Sequence, residues 1–239
     1  DVLIMEGTNV RPASGPAPRH TETDVENDFV ETFRRTGGLV AAFSSAQNLD
    51  RLVTVFRAAR RAGRTLVVDL YTATIAQATG RASIPQPRFD GLAVYVPHRQ
   101  RVRVARTKEF QRVSSIADIR MYPEDLATDR GRVVFLGTSS TGRELVDAGA
   151  LQGGAVVWSL WPGYLDQPSG RRLTELLQEA DVPLVHHHTS GHAHIGDLER
   201  LVEAFSPARV VPIHSEATER FSDHFPRVER HDDLEWWEV

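Results

Sequence analysis

A chain of 239 residues, 41% hydrophobic and 25% charged, can bury one or two cores and has the composition of an ordinary folded protein. It contains no cysteine, which excludes disulfides and thiolate metal sites, and no apolar run near the roughly 20 residues of a membrane-spanning helix, so no membrane partner is expected. A net charge of −4 argues against broad non-specific nucleic-acid binding but permits a local basic groove, and the missing cysteines make a cytoplasmic location the default expectation.

Taken in chain order, strand and helix patterns alternate, which predicts an α/β protein. Residues 2–5 form a short strand ending at Glu6-Gly7-Thr8-Asn9, and 10–20, rich in Pro, Gly and Ala, read as a loop. Thr21 or Thr23 caps a helix over 24–36, which Gly37-Gly38 stops. A strand at 39–43, an amphipathic helix at 46–62 and the strand TLVVDL make a crossover unit of the kind that builds parallel sheets. TATIAQATG predicts a helix, 81–98 with its three prolines reads as irregular, and 110–129 as partly helical. Strands follow at 132–137 and 155–160 around the helix TGRELVDAG, then a helix at 171–180, the strand VPLVH, a helix at 196–205 and the strand RVVPIH. The C-terminal RHDDLEWWEV reads as a closing strand after an Asp-Asp turn. The opening run DVLIM starts on Asp1, inside a buried-strand pattern, so the chain reads as cut from something longer.

Five of the ten histidines fall in the run HHHTSGHAH, residues 186–194, and His214 follows in VVPIHSE after a helix-length gap. Imidazole is the most common metal ligand and the usual proton shuttle near neutral pH, so this clustering points to chemistry. Glu6, His192 and His214 each end or follow a predicted strand, and strand ends on one sheet edge can set a carboxylate against an imidazole, an arrangement suited to a general acid. In the triplet 186–188 the alternation of a strand turns one side chain, His187, away from the other two. The segment His192-Ala193-His194-Ile195-Gly196-Asp197 has the look of an HxHxD metal motif, but its aspartate comes one residue late, where a helix N-cap is expected.

Three strand-to-helix turns carry small hydroxyl residues: one with Ser44 and Ser45, one with Ser139 and Ser140, one with His188 and Ser190. In open α/β sheets ligands collect at the carboxyl ends of the strands, where Ser and Thr hydroxyls and backbone N–H groups can hold an anion. Ordinary N-capping explains any one such turn; three together favour an anion site. The aromatic turn Trp158–Tyr164 is read either as core or as a platform on which a base stacks.

In order, Glu-Gly-Thr-Asn (6–9), His-Thr-Ser-Gly-His-Ala (188–193) and Pro-Ile-His-Ser-Glu (212–216) resemble the motifs of metallo-β-lactamase-fold nucleases with a β-CASP insertion, such as ribonuclease J and the RNA 3′-end processing endonuclease. GLVAAFSSAQNLDRL (38–52) is similar to the start of that family's inserted domain. The resemblance implies a β-CASP-like domain at 19–164, with a mostly parallel sheet flanked by helices. It further implies a strand and linker at 1–18 and the C-terminal half of an αββα hydrolase domain at 165–239. It implies general-acid roles for Glu6 and His192, a metal-ligand role for His214, and positions near a substrate phosphate for His188 and Ser190. The implied cofactor is zinc, two per complete site, with manganese as a second choice, and the implied partner is RNA.

The family's HxHxDH ligands lie in a half of the hydrolase domain that these 239 residues do not contain. The expectation is therefore that this chain lacks a stable dimetal site and is inactive by itself, and that exposed strand faces lead to a homo-oligomer or a missing partner half. Two other readings stand beside the RNA-cleaving hydrolase: a non-catalytic RNA- or partner-binding module, and a hydrolase of small phosphoesters on the same fold.

Overall fold

The computed structural model describes residues 1–10, 20–189 and 191–238. Its elements in chain order are β1 (Val2–Glu6), α1 (Glu22–Arg35), β2 (Val40–Phe43), α2 (Leu49–Arg61), β3 (Thr65–Asp69), α3 (Leu70–Ala78), β4 (Leu92–Tyr95), α4 (His98–Thr107) and α5 (Gln111–Ser114). They continue with β5 (Arg120–Met121), α6 (Pro123–Thr128), β6 (Val133–Gly137), α7 (Gly142–Asp147), β7 (Ala155–Trp158), α8 (Pro168–Glu179), β8 (Leu184–His186), α9 (Ile195–Phe205) and β9 (Arg209–Ile213). The chain divides into two compact units, Asp1–His20 with Ser190–Val239, and Thr21–Thr189.

The larger unit is a seven-stranded sheet of order β5-β4-β3-β6-β2-β7-β8, with every pairing parallel. Its central strands are continuous apolar runs because helices cover both faces. Val40, Ala42, Leu66, Val68, Leu92 and Val94 point to one face, against α1, α2 and α3. The alternating residues Ala41, Phe43, Val67, Phe135 and Trp158 point to the other, against α6, α7 and α8. Because all strands are parallel, their carboxyl ends share one edge, which carries Ser44, Asp69, His98, Ser139, Ser159 and His187.

In the smaller unit β1 pairs with β9 in parallel, from Val2 opposite Arg209 to Glu6 opposite Ile213. Met5, Val10, Leu198, Val202, Val210, Ala217, Phe221 and Phe225 form its core. The register leaves Glu6 and His214 at adjacent strand ends.

The mixed α/β class and the parallel sheet are as the sequence predicts; several local features differ. The stretch 81–98 contains β4, a four-residue strand whose side chains are all buried, set between proline-bearing turns. Helix α4 went unread because it carries Arg99, Arg101, Arg103 and Arg106 and buries only Val104, so it has almost no apolar stripe. The C-terminal closing strand does not form among the described residues: Asp232 and Glu235 close a turn, and Leu234 and Trp236 are almost fully exposed. Asp197 is not an N-cap, since α9 starts two residues earlier at Ile195, with His194 as the N-cap. Asp197 lies in the first turn and pairs with Arg200. Helix α8 and strand β8, placed by the sequence in the 165–239 segment, lie in the seven-stranded unit, where β8 pairs with β7.

Candidate functional site

Each residue of the tetrapeptide Glu6-Gly7-Thr8-Asn9, which begins on the last residue of β1, holds a different part of one cluster in the smaller unit. The Glu6 carboxylate takes His192 Nδ1 at 3.0 Å and the Thr8 N–H at 3.1 Å on Oε2, and the Ala193 N–H at 2.9 Å on Oε1. Asn9 donates from Nδ2 to the carbonyls of Ala193 (2.8 Å) and His192 (3.2 Å), which pins the loop that carries the histidine. Thr8 lies 3.0 Å from His214 Nδ1 and donates its hydroxyl proton to the His214 carbonyl at 3.2 Å. Gly7 is demanded by packing, because a Cβ there would lie 2.2 Å from the ring of buried Phe221.

These contacts choose the tautomers. When the Thr8 hydroxyl donates to the His214 carbonyl it accepts from His214 Nδ1–H, the tautomer that leaves that ring's lone pair on Nε2. Glu6 likewise takes the Nδ1 proton of His192, a carboxylate–imidazole pairing that orients the ring and raises its basicity. The two rings lie side by side with centroids 5.2 Å apart, tilted by 38°. His214 adopts a left-handed backbone, φ +48°, a conformation costing a non-glycine residue of order 1–3 kcal/mol and concentrated at functional sites. Burial pushes the Glu6 carboxyl up, but hydrogen bonds from Thr8 and Ala193 and the nearby His192 charge outweigh it, so Glu6 is held below its ordinary value.

Among the described residues, Glu6, His192 and His214 are the group whose donor atoms lie close enough, within 4.8 Å of one another, to hold a metal ion. The donor chemistry fits zinc at His214, whose Nε2 lone pair is the form that ligates. Both Glu6 oxygens accept N–H groups, Oε2 from His192 and Thr8 and Oε1 from Ala193, so the carboxylate is engaged as the partner of His192. A closed structural zinc site takes four protein ligands, more than the three groups of this cluster. His194 and Asp197 are not part of it.

The remaining sequence candidates lie at the carboxyl edge of the seven-stranded sheet. Ser44 is buried and its hydroxyl turns to the Ser45 carbonyl, while Ser45 Oγ accepts the Gln47 N–H, so that turn satisfies itself; α2 is capped by Asn48. Ser140 bonds Thr138 at 2.8 Å beside Ser139. His188 is half-buried with Nδ1 lacking a hydrogen bond; burial, then the Arg51 charge, holds its imidazole below the ordinary value. Ser190 lies outside the described residues. His187 Nε2 bonds Thr32 at 2.7 Å, with the ring edge-on to Phe29.

Sequence reasoning missed Arg51. Fully buried on α2, it donates to the Ser159 hydroxyl, to the His187 carbonyl at 2.9 Å and to Glu22 at 2.7 Å, tying the ends of β7 and β8 to α1. The signal was present: Arg51, Val55 and Ala58 lie on one helical stripe, and an arginine in an apolar stripe needs a buried partner.

Residues 182–232 match the family model of the Zn-dependent metallo-hydrolase RNA specificity domain, which fits the C-terminal part of a metallo-β-lactamase/β-CASP family protein. No curated protein matches the chain. Among solved structures it is similar to a crystal structure of a protein of unknown function from Enterococcus faecalis V583, at 18% identity and a TM-score of 0.67. That match covers 96% of this chain and 49% of the other, so the chain spans about half of that protein's length, and the likeness shows the fold alone.

Proposed function

We propose that this chain supplies the proton-donating and RNA-selecting side of a zinc-dependent phosphodiesterase that cleaves RNA, with a β-CASP-like domain in its seven-stranded unit. The observation that carries this reading is the Glu6–His192–His214 cluster, which lies in the smaller unit that contains most of the segment matching the RNA specificity domain.

The chemistry follows from the geometry. Protonated His192, held by Glu6 through Nδ1, presents its Nε2 proton to the leaving oxygen of a scissile phosphodiester. Its partner carboxylate stabilises the imidazolium until the proton moves. His214 is the residue that would hold zinc, through Nε2, with Thr8 fixing its ring. When bound, the metal supplies Lewis-acid stabilisation of charge on the phosphoryl oxygens. The other ligands of such a site would come from the half of the hydrolase domain that carries the HxHxDH motif. Half-buried His188, near its buried arginine, would face the substrate phosphate, though only its surroundings in the seven-stranded unit support that role.

The test is RNA hydrolysis, with added zinc or manganese, by the protein that carries this segment together with the HxHxDH half. His192→Ala is expected to cut the rate about 10²- to 10⁴-fold, the range for loss of a general acid. His214→Ala is expected to lower both the rate and the bound metal. Full activity in both variants would overturn the proposal.

A further inference from the structure

We propose that the seven-stranded unit also binds a nucleotide phosphate, in a cavity of about 510 Å³ between α4, α7 and α8. Arg99 from α4, Arg143 from α7 and Arg172 from α8 line it, with the hydroxyls of Ser139, Ser140 and Ser169. The cavity is built wholly from this one unit and uses none of Glu6, His192 or His214.

Three features define the ligand. The first is the state of the arginines. Arg35, Arg51, Arg60, Arg61, Arg101, Arg112, Arg200, Arg209 and Arg220 pair with carboxylates, while others, such as Arg57, Arg103 and Arg106, form no ion pair among the described residues. No such ion pair forms at Arg99, Arg143 or Arg172 among the described residues, although Glu144 follows Arg143 directly. The Glu144 carboxylate is occupied by the Tyr95 hydroxyl, the His98 N–H and Arg101. Three guanidinium groups that form no ion pair among the described residues line one cavity with serine hydroxyls and, farther along α8, the Glu175 and Glu179 carboxylates; the arginines and serines supply the donors that a phosphate takes.

The second feature is polarity along the cavity. Glu175 and Glu179 lie farther along α8, one and two turns beyond Arg172, with Leu173 and Leu176 between them. The arginines attract an anion and the carboxylates repel it, while those carboxylates can accept hydrogen bonds from the amino groups of a base. A volume of this size suits one nucleotide unit.

The third is the aromatic turn. Trp161 and Tyr164 are both exposed, and their rings pack edge to face with centroids 5.4 Å apart. The turn lies against the start of α8, where a Cβ on Gly170 would sit 2.3 Å from the Tyr164 carbonyl, one residue from Ser169. Trp158 of this turn is core, whereas the rings of Trp161 and Tyr164 are exposed and offer an aromatic face on which a base of a strand stacks.

Phosphate chemistry of this kind comes from a single-stranded RNA or from a free nucleotide, and binding separates the two. The chain is titrated in EDTA, without metal, against a fluorescein-labelled ten-nucleotide single-stranded RNA by polarisation, with AMP and GMP as competitors. RNA binding is expected to weaken about tenfold in each of Arg99→Glu, Arg143→Glu and Arg172→Glu, and the salt dependence to become shallower in each. Trp161→Ala is expected to weaken RNA several-fold and leave AMP binding unchanged. Displacement of RNA by millimolar AMP or GMP alone would assign the cavity to free nucleotides, and displacement only by unlabelled RNA would assign it to a strand; both uphold a phosphate site. Should a charge-reversed chain fail to fold, Arg99→Gln, Arg143→Gln and Arg172→Gln replace it. Unchanged affinity in all three arginine variants with intact melting curves, or no binding of RNA or nucleotide, overturns the proposal. Because no metal and no cleavage enter the measurement, its failure leaves the Glu6–His192–His214 reading standing, and the reverse also holds.

Discussion

Two polar clusters, one in each unit, use the same chemistry to opposite ends. Around Arg51, a guanidinium, a carboxylate, a serine hydroxyl and a backbone carbonyl close on one another with the arginine fully buried. Around His192, a carboxylate, two imidazoles and a threonine hydroxyl are equally connected, but the His192 side chain stays 39% exposed. In the first cluster the low dielectric makes every unpaired group costly, so the partners are consumed in holding strand ends to helices. In the second, each ring has its Nδ1 within hydrogen-bonding distance of a side-chain oxygen, Glu6 for His192 and Thr8 for His214, and the cluster keeps side-chain surface at the solvent. Connectivity alone does not mark a functional site; which atoms remain exposed does.

The sharpest way to break that contrast is Arg51→Met. It removes the arginine's hydrogen bonds to the partly exposed Glu22 carboxylate, the Ser159 hydroxyl and the His187 carbonyl, leaving Glu22 only Thr54 and the carbonyl only Ser159 among these partners, and is expected to cost about 3 kcal/mol in denaturant unfolding of the seven-stranded unit. A loss below about 1 kcal/mol would mean that the cluster is not structural.

In the smaller unit the corresponding weak point is steric. Gly7→Ala drives a methyl into Phe221 and is expected to cost about 1–3 kcal/mol. Combined with Phe221→Leu, part of that loss should return, and a double-mutant cycle showing simple additivity would argue against the contact.

Two further predictions concern pH and act on the larger unit in opposite directions. Burial holds the half-buried His188 below its ordinary value, helped by Arg51. The unfolded chain then takes up a proton near pH 6.5 that the folded chain refuses, so stability falls as pH drops below about 6.5. His188→Gln should flatten that part of the stability profile, by less than Arg51→Met costs.

Asp69 is fully buried, and burial raises its carboxyl against the opposing hydrogen bonds from Thr72 and Gln100. Its folded form keeps a proton that the unfolded form loses, so stability falls as pH rises from about 3.8 through the folded value. Asp69→Asn, which can still cap α3, should remove this slope. Unfolding free energy measured from pH 3 to 8 checks both, and an unchanged profile in either variant would remove that residue from the account.

Much of the fold could be read in the chain. Apolar runs such as Val133–Gly137 and Ala155–Trp158 are strands because they are buried on both faces, and no other element of that length suits them. Helix α1 was legible from its cap, where Thr21 and Asp24 form a capping box. Strand β4 and helix α4 were not, since one is four residues between prolines and the other has a single buried side chain. The sequence also placed Glu6 and His214 at strand ends, because apolar runs stop where polar residues begin; the shared sheet edge expected for His192 does not hold, since it lies six residues beyond β8, a strand of the other sheet.

What the sequence by itself determined was therefore the alternation of elements, the parallel sheet and the identity of the residues with ligating or proton-moving groups; these follow from side-chain period and residue chemistry, which are local. Only the tertiary structure decided that Glu6 faces His192, that Thr8 rather than a carboxylate orients His214, that Arg51 is buried and that Arg99, Arg143 and Arg172 line one cavity. Each of these depends on strand register or on helices meeting across a sheet. Such meetings join residues as far as 206 positions apart, as for Thr8 and His214, and no local pattern encodes them.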